Sequence, residues 1–393
     1  MTTSTRSPAI DDVLSRAVAS GAVPHVVAVA ADRDGIVYEG AAGRVGPGSA
    51  GEDRVVDIDT PFRVMSMTKP VVTVAALQLV EQYKLDLDAP VEEYCPEFAE
   101  IQLLEGIEAG AAVLRPPAHK ATVKQLVTHT SGIAYSFWNA EIAAWERAVR
   151  APERTSGSRA VLRTPLVAEP GSTFVYGNGT DWLGQVVEAV CGRSLDEVVS
   201  TWITEPLGMT RTGFALDDRA RAEMAVLHRR AQDGGWAPSP VELPRRPEYV
   251  SGSRGLYSTA RDYLTFQRML LGQGIAPDGT SVLRPETVEA MFRNQIGGLD
   301  FPAEIHTSDP DTARGLALGP GYKFGHGLLI NTEDQPGRRR AGSGGWMGLF
   351  NTHFWVDPAT GVTGAMYTQV LPFLEPATVR AFEDFERAVY ASL

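Results

Sequence analysis

One serine and one lysine stand three residues apart in "PFRVMSMTKPVVTVAALQLV", residues 61–80. Pro70 lacks an N–H and fixes a helix start near Ser66, so we expect Ser66 beside the N-cap, where its backbone amide stays free to donate. Lys69 returns to the same helix face, about 5–6 Å away between Cβ atoms. The following run is apolar nearly all round, which predicts a buried helix that carries Lys69 inward. A buried lysine beside a hydroxyl can activate a nucleophile.

The alternative interpretation is an ordinary N-cap serine followed by a lysine that reaches solvent. The chain has only five lysines, and this is its one Ser-x-x-Lys sequence. Its proline-fixed helix start and buried continuation favour a functional pair. A neutral Lys69 at pH 7 requires a pKa shift of about 3 units, and it could then accept the Ser66 proton. A charged Lys69 could instead lower the pKa of a neighbouring phenol or hydroxyl.

A proton carrier for such a pair is available in "FVYGNGTDW". Gly177 and Gly179 predict an exposed loop that presents the side chains of Tyr176 and Asn178. A phenol beside a lysine is driven toward phenolate and can serve as a general base. The side-chain amide of Asn178 is expected to contact either the lysine or the carbonyl group of a substrate. A role as turn residue and helix cap is the alternative for Asn178. A buried or surface aromatic is the alternative role for Tyr176.

An oxyanion site is suggested by "AGSGGWMG", residues 341–348, at a predicted strand edge. Gly344 and Gly345 let a ligand approach the backbone, and an edge strand offers unpaired N–H groups. The amide of Trp346 would then complete an oxyanion hole with that of Ser66. A tight hairpin or bulge is the alternative explanation for the glycines.

The elements that must position these residues follow from periodicity. A helix is predicted over residues 10–19, and "HVVAVAADRDGIVYEGAAG" reads as a hairpin. Near the other end, "GRRRAGSGGWMGLFNTHFWVDPATGVTGAMYTQV" predicts three strands joined by turns, followed by a helix from about Glu375 to Leu393. Hairpins at both ends with mostly helical signals between them predict the α+β class, an antiparallel sheet flanked by helices with a helical insertion.

This pattern also predicts the domain organisation. We expect residues 8–85 and 245–393 to form an α/β domain with a central antiparallel sheet. Residues 86–244 are expected to form a mostly helical inserted domain. The serine, the lysine and the tyrosine then lie at the junction of the two.

Composition excludes several classes of function. The 393 residues carry a net charge of −12 with both signs interspersed, which gives no basic footprint for nucleic acid. A signal peptide and an apolar run of membrane length are both missing, so we expect no membrane partner and a cytoplasmic protein. Cys95 and Cys191 have no metal-ligand spacing and are expected to be reduced packing residues, with no bound metal. A monomer or a small homo-oligomer is expected.

At the quoted motifs the sequence resembles the serine hydrolases of the class C β-lactamase and DD-peptidase superfamily, most closely the family VIII carboxylesterases. "SMTK" matches the family's S-x-x-K and "YGN" its Y-x-N. "SGG" stands where β-lactamases carry Lys-Thr-Gly and many esterases carry His-x-Gly or Trp-Gly-Gly. The segments "LDLDAPVEEYCPEF", "VKQLVTHTSGI", "EPLGMTRTGF" and "GLYSTARDYLTF" are similar to the family's framework and extend the resemblance over nearly the whole chain.

The resemblance implies a β-lactamase-like fold and an acyl-enzyme mechanism. Ser66 would be the acylated nucleophile, and Lys69 and Tyr176 the proton-transfer pair. The amides of Ser66 and Trp346 would form the oxyanion hole. No metal or organic cofactor is implied, and the partner is a small-molecule ester.

The departures from the family pattern concern the substrate. Where β-lactamases place a lysine that receives the substrate carboxylate, this chain has Ser343, so a strong anion anchor is lost. Esters of small or short-chain acids therefore become the expected substrates of a serine carboxylesterase. The alternatives are an acyltransferase using the same acyl-enzyme, a weak β-lactamase, or a non-turnover ligand-binding protein. Arg338, Arg339 and Arg340 are interpreted as a surface basic run, and replacement of the anchor by one of them is the alternative.

The remaining candidates concern the substrate pocket. His129 in "LVTHTSGI" invites a Ser-His-Asp triad, but its helix-terminating turn favours a structural hydrogen bond. Aromatic residues, Phe137 and Trp346 among them, are interpreted as a possible apolar pocket, with packing as the alternative. The residues expected to bind substrate are Asn178, Ser343, Gly344, Gly345, Trp138 and Trp236.

Overall fold

The computed structural model describes residues 7–46, 54–239, 241 and 244–393. Its helices are α1 (Pro8–Ala19), α2 (Thr68–Glu81), α3 (Val123–Val127), α4 (Ala140–Val149), α5 (Gly179–Cys191), α6 (Leu195–Val199), α7 (Asp218–Glu223), α8 (Ala260–Leu271), α9 (Pro285–Met291) and α10 (Pro376–Ala391). Its strands are β1 (His25–Asp32), β2 (Ile36–Gly43), β3 (Phe62–Arg63), β4 (Leu103–Glu108), β5 (Ala111–Arg115), β6 (His228–Arg230), β7 (Trp236–Pro238), β8 (Tyr257–Ser258), β9 (Tyr322–Phe324), β10 (Leu329–Asn331), β11 (Gly344–Gly348), β12 (Thr352–Asp357), β13 (Val362–Tyr367) and β14 (Val370–Leu371).

The main sheet joins both ends of the chain. It has seven strands in the order β2-β1-β13-β12-β11-β10-β9, and all neighbouring pairs are antiparallel. Its middle strands β1, β12 and β13 are almost fully buried, as expected for strands covered on both faces. The predicted N-terminal hairpin and the three predicted C-terminal strands are confirmed, and so is the α+β class.

Helices cover both faces of this sheet. Successive residues of β12 point to opposite sides: Trp355 contacts Phe385 of α10, with ring centroids 5.8 Å apart, whereas Phe354 contacts Tyr263 of α8, at 5.4 Å. α1 joins α10 on the first side, where Ile10 belongs to the same apolar cluster. The predicted first and last helices are confirmed within one or two residues.

The mostly helical part of the chain lies between α2 and α8. It contains α3 to α7 and the hairpin of β4 and β5. Its last segment also contains strands, because β6 and β7 form a separate three-stranded sheet with β14. His228 pairs with Val370 in that sheet, so this segment contacts the C-terminal part of the chain. The domain boundaries stay a prediction.

Two buried helices connect the parts at the functional site. α2 is apolar on all sides, and its residues 68–77 are all buried. α5 packs beside it and buries residues 179–187. Cys95 and Cys191 are both free thiols, in agreement with the prediction. Among the helices of the described residues, none combines the length and apolarity that a membrane crossing needs.

Candidate active site

The predicted serine lies at the turn that leads into α2. Ser66 occupies a single 3₁₀ turn, Met65–Met67, and the α-helix continues from Thr68. Met65 has a positive φ of 47°, an uncommon conformation for a residue with a side chain, and such strain is concentrated at functional sites. Ser66 is 8% exposed and Lys69 points inward and is buried, as the sequence pattern predicts.

The Lys69 amine has three oxygen partners. Nζ lies 3.1 Å from Ser66 Oγ, 3.0 Å from the Tyr135 hydroxyl and 3.0 Å from the carbonyl oxygen of Ser253. Burial lowers the pKa of Lys69 to about 7, against the opposing field of Asp181. Near neutral pH a substantial fraction of the amine is therefore unprotonated and able to accept a proton.

Tyr176 is not on an exposed loop, which corrects the prediction. It is 8% exposed, and its hydroxyl accepts a hydrogen bond of 3.2 Å from the Trp346 indole N–H. The Lys69 amine lies 4.9 Å from the centroid of its ring. Burial, followed by Tyr135, raises the pKa of Tyr176 well above its usual value, although hydrogen bonding to Ser66 and Trp346 acts in the other direction. Tyr176 is therefore a neutral phenol at rest, not a phenolate.

Gly177 explains why Tyr176 is buried. A Cβ at position 177 would lie 2.1 Å from the carbonyl oxygen of Ile133, so only glycine permits this approach of two backbones. The Tyr135 N–H donates to the carbonyl of Tyr176 at 3.2 Å, and the Val175 N–H to a neighbouring carbonyl at 2.8 Å. The glycine thus brings the tyrosine segment against residues 129–135.

Tyr135 was missed by the sequence analysis. Its hydroxyl contacts Lys69 across 66 positions of sequence, a separation that no helix or strand period relates. Burial raises the pKa of Tyr135 to about 12, and Asp181 adds to this. The only signal was its position, two residues after the end of the "VKQLVTHTSGI" segment that carries part of the resemblance.

Asn178 does not contact Lys69 in this structure. It is buried, and its Oδ1 accepts a hydrogen bond of 3.1 Å from Arg154. Arg154 also forms an ion pair with Glu146, at 2.8 Å. The amide is therefore held by a guanidinium, which corrects the expectation of an amide contact for the lysine.

The strand that carries Trp346 has an open side. β10 pairs with β11 only at Gly344 and Gly345, so the β10 side of the strand is unpaired from Trp346 onward. A Cβ at Gly348 would lie 2.3 Å from the carbonyl oxygen of Val64, which places this end of β11 against the turn that holds the serine. This placement suits the predicted oxyanion role of the Trp346 amide.

The glycines of "SGG" make room for protein atoms. A Cβ at Gly344 would lie 2.7 Å from the ring of Phe292, and one at Gly345 would lie 2.5 Å from the carbonyl oxygen of Phe354. Ser343 is buried, and its hydroxyl donates to a backbone carbonyl 2.7 Å away. Packing therefore accounts for all three residues, and their predicted substrate contacts gain no support from these positions.

The arginine run is only partly at the surface, which corrects that interpretation for two of its members: the Arg340 side chain is exposed, whereas those of Arg338 and Arg339 are mostly buried. The Arg339 side chain is 13% exposed and pairs with the buried Glu386 of α10 at 2.7 Å. Arg338 contacts two glutamates of the same helix, and Arg340 pairs with Asp334 at 2.7 Å. Each guanidinium has a carboxylate partner, so none is left to replace the lost anion anchor.

The two predicted pocket tryptophans lie in different places. The Trp138 ring centroid is 5.7 Å from that of Tyr176, and its indole N–H donates to the carbonyl of Arg314 at 2.9 Å. Trp236 lies on β7, where it donates to the carbonyl of Gly21 and stacks under Arg230. The structure brings Trp138 to the site but places Trp236 against the end of α1.

His129 contributes packing to the site. Its ring centroid is 4.7 Å from that of Tyr176 in an edge-to-face arrangement. Burial, followed by the charge of Lys69, lowers the pKa of His129 well below its usual value. A neutral imidazole packed against the tyrosine agrees with its exclusion from a catalytic triad. Within the described residues, no group of three His, Cys, Asp or Glu side chains is suited to hold a metal ion.

The Ser-x-x-Lys pair at the start of a buried helix, beside an antiparallel sheet with helices on both faces, defines a serine hydrolase of the β-lactamase-like fold. The family model described as Beta-lactamase matches residues 10–388. The chain therefore belongs to the beta-lactamase family.

The relatives include esterases and acyltransferases. The chain is 31% identical to lovastatin esterase of Penicillium rubens over 379 residues, which cover 92% of this chain and 93% of that protein. It is 30% identical to monacolin J acid methylbutanoyltransferase of Aspergillus terreus, with 86% and 83% covered. The unliganded structure of simvastatin synthase from Aspergillus terreus superposes with a TM-score of 0.83 at 28% identity, covering 98% of this chain and 99% of that one.

Proposed function

We propose that this protein is a serine carboxylesterase that hydrolyses esters of short-chain acids through an acyl-enzyme on Ser66. The observation that carries the proposal is the hydrogen bond of 3.1 Å between Ser66 Oγ and Lys69 Nζ. The pKa of that amine, lowered to about 7, allows it to accept the hydroxyl proton near neutral pH. We place the enzyme in the family VIII carboxylesterase branch as part of this proposal.

In the first half-reaction, Lys69 takes the Ser66 proton while Oγ attacks the ester carbonyl carbon. The oxyanion is stabilised by the backbone amides of Ser66 and Trp346. As the tetrahedral intermediate collapses, the bond to the alcohol oxygen breaks. Tyr176, whose neutral phenol is held by the Trp346 indole, passes a proton to the leaving alkoxide and is reprotonated from the Lys69 ammonium.

In the second half-reaction, water attacks the acyl carbon and gives its proton to the same pair. Ser66 Oγ leaves and regains a proton, which releases the carboxylic acid and restores the resting site. Both steps use the same groups, so loss of the lysine or the serine is expected to block both.

The surroundings of Ser66 favour a small, uncharged acyl group. Aromatic rings of Tyr135, Tyr176, Trp138 and Trp346 are all buried near the serine. Arg338, Arg339 and Arg340, the candidates for replacing the lost anion anchor, are each paired with a carboxylate, so none of them is free to receive an anionic substrate. This supports neutral esters over β-lactams.

Acyl transfer to an alcohol is a second candidate, because two of the curated relatives are named as a methylbutanoyltransferase and an esterase. Both activities begin with the same acyl-enzyme and differ in what intercepts it. Product analysis in the presence of a competing alcohol separates them. A transferase forms the new ester as the main product, whereas an esterase forms the free acid.

The test is intact-protein mass spectrometry after brief mixing with p-nitrophenyl butyrate and, separately, with a cephalosporin, while released chromophore is followed. We expect rapid ester turnover, a butyryl adduct confined to Ser66 and little cephalosporin hydrolysis. Ser66→Ala should form no adduct, while Ser258→Ala, a change at another buried serine, should retain it. A persistent adduct without turnover would indicate a binding protein, and no adduct together with no turnover would refute the proposal.

A further inference from the structure

The third partner of the Lys69 amine comes from a distant part of the chain. The carbonyl oxygen of Ser253 lies 3.0 Å from Nζ, across 184 positions of sequence. Ser253 belongs to the turn of residues 251–254, which is closed by a hydrogen bond from the Gly255 N–H to the Ser251 carbonyl at 3.0 Å. A group that holds this turn in place therefore also fixes the position of one hydrogen-bond partner of the Lys69 amine.

Asp181 holds this turn. Its Oδ1 accepts the Ser253 backbone N–H at 2.9 Å and the Ser251 hydroxyl at 2.7 Å. Its Oδ2 faces the Tyr249 hydroxyl at 3.4 Å and the Arg254 guanidinium at 3.9 Å. The carboxylate is fully buried in the first turn of α5, where the helix N-terminus favours a negative charge.

Gly252 lets the turn approach α5 this closely. A Cβ at that position would lie 2.4 Å from the carbonyl oxygen of Thr180 and 3.4 Å from the side chain of Val72 in α2. The turn is therefore packed against the two helices that carry Asp181 and Lys69. Its position is set by tertiary packing on both sides.

The charged groups around Lys69 change its pKa in opposite directions. After burial, the strongest influences on its pKa are Asp181, which raises it, and Arg254, which lowers it. The phenols of Tyr135 and Tyr176 also face the amine, and burial raises the pKa of each. His129 packs behind Tyr176 as a neutral imidazole, since burial lowers its pKa.

We propose that Asp181 is a positioning residue for Lys69: its carboxylate holds the 251–254 turn so that the Ser253 carbonyl faces the amine, and its negative charge favours the protonated amine. Asp181 has no contact with Ser66 and acts through the turn and its field. This inference rests on the proposed function only where turnover is the readout.

Asp181→Asn separates charge from position. The amide oxygen can still accept the hydrogen bonds that Oδ1 receives from the turn, while the negative charge is lost. We expect the Lys69 titration midpoint to fall by about one pH unit. NMR of protein labelled with ¹³C-lysine measures this directly, because the chain has only five lysines, and Lys69→Met identifies the resonance. The midpoint of the rise of kcat/KM with pH should fall by the same amount.

Asp181→Ala removes both the charge and the hold on the turn. We expect the plateau value of kcat to fall about 10- to 100-fold, since the amine loses a fixed partner. The matched control is Asp262→Asn, at another buried carboxylate, which accepts from the Arg211 N–H and the Thr212 hydroxyl instead. It should leave the Lys69 titration unchanged.

Arg254→Gln gives an independent test in the opposite direction, because loss of the positive charge should raise the Lys69 midpoint. If Asp181→Asn does not fold, the Lys69 midpoint in Asp181→Ala decides the matter, because that variant lacks the same negative charge. The proposal is overturned if the Lys69 midpoint in Asp181→Asn equals that of the wild type, or if Asp262→Asn moves it equally. If the wild type turns over no ester, the proposed function fails, yet the lysine titration still decides this inference.

Discussion

At the scale of single residues, the site contains one amine that titrates near neutrality and two phenols that do not. Burial lowers the pKa of Lys69 to about 7 and raises the pKa of Tyr135 to about 12 and that of Tyr176 well above its usual value. Lys69 is then the resting base of the proposed mechanism. The phenols act as hydrogen-bond donors and proton carriers.

The two tyrosines are expected to differ in their effect on turnover. Tyr176→Phe removes the proton carrier between Lys69 and the leaving group, so we expect kcat/KM to fall about 10²- to 10³-fold. Tyr135→Phe removes only one of three partners of the amine, and we expect a loss of about 10-fold. Steady-state kinetics with p-nitrophenyl butyrate measure both, with thermal unfolding as the check on folding. Equal losses would contradict the separate roles.

The pH dependence of turnover follows from the same lysine. Below its pKa the amine is protonated and cannot accept the Ser66 proton. We therefore expect kcat/KM to rise with pH around a midpoint of about 7. A profile measured from pH 5.5 to 9 checks this. A profile that falls or stays flat across that range would argue against Lys69 as the base.

At the scale of elements, the site depends on close backbone approaches that only glycine permits. Gly177 lies against Ile133, Gly252 against Thr180 and Gly348 against Val64. These contacts bring the tyrosine segment, the 251–254 turn and β11 around the start of α2. Since backbone atoms cannot shift as a flexible side chain can, a methyl group at these positions must displace whole segments.

Gly177→Ala tests this dependence. The added Cβ would meet the Ile133 carbonyl oxygen at 2.1 Å, so the Tyr176 segment must move away. We expect kcat/KM to fall at least about 10-fold, because misplacement of a catalytic group by about 1 Å can cost 10²-fold. Gly298→Ala is the control, as a Cβ there meets nothing within 4 Å. The idea fails if both variants retain wild-type kinetics.

At the scale of the whole molecule, a titrating amine in the core links function to stability. The folded protein holds Lys69 with a pKa of about 7, below the ordinary lysine value of 10.5. Between these values the unfolded chain binds more protons, so stability rises with pH across that window. Below about pH 7 the folded protein carries the full cost of burying the protonated amine, about 5 kcal/mol by the size of the pKa shift.

Lys69→Met should therefore abolish turnover while stabilising the fold at low pH. The gain in the free energy of unfolding should be larger at pH 6 than at pH 10, where the wild-type lysine costs little. Urea denaturation at the two pH values measures the difference. Lys124→Met, at a more exposed lysine, should show no such pH dependence. A gain that is equal at both pH values would refute this link.

The sequence by itself determined the local features of the site and the frame that carries it. Ser66 and Lys69 meet because they stand one helical turn apart, and the proline behind them fixes where that turn begins. The hairpins at both ends follow from alternating apolar residues, and the antiparallel sheet that they form is confirmed. The helical pair and the hairpins depend on neighbours in sequence, whereas the pairing of β1 with β13 that completes the sheet joins Val27 to Tyr367.

Only the tertiary structure decided what surrounds the pair. The contacts of Lys69 with Tyr135 and Ser253 span 66 and 184 positions, and they depend on how separate elements pack. Packing also buries Tyr176, which the flanking glycines alone suggested would be exposed, and it carries Trp236 away from the site. Burial in turn sets the protonation of the lysine and the phenols. Which group is the resting base is therefore a property of the fold, not of the motif.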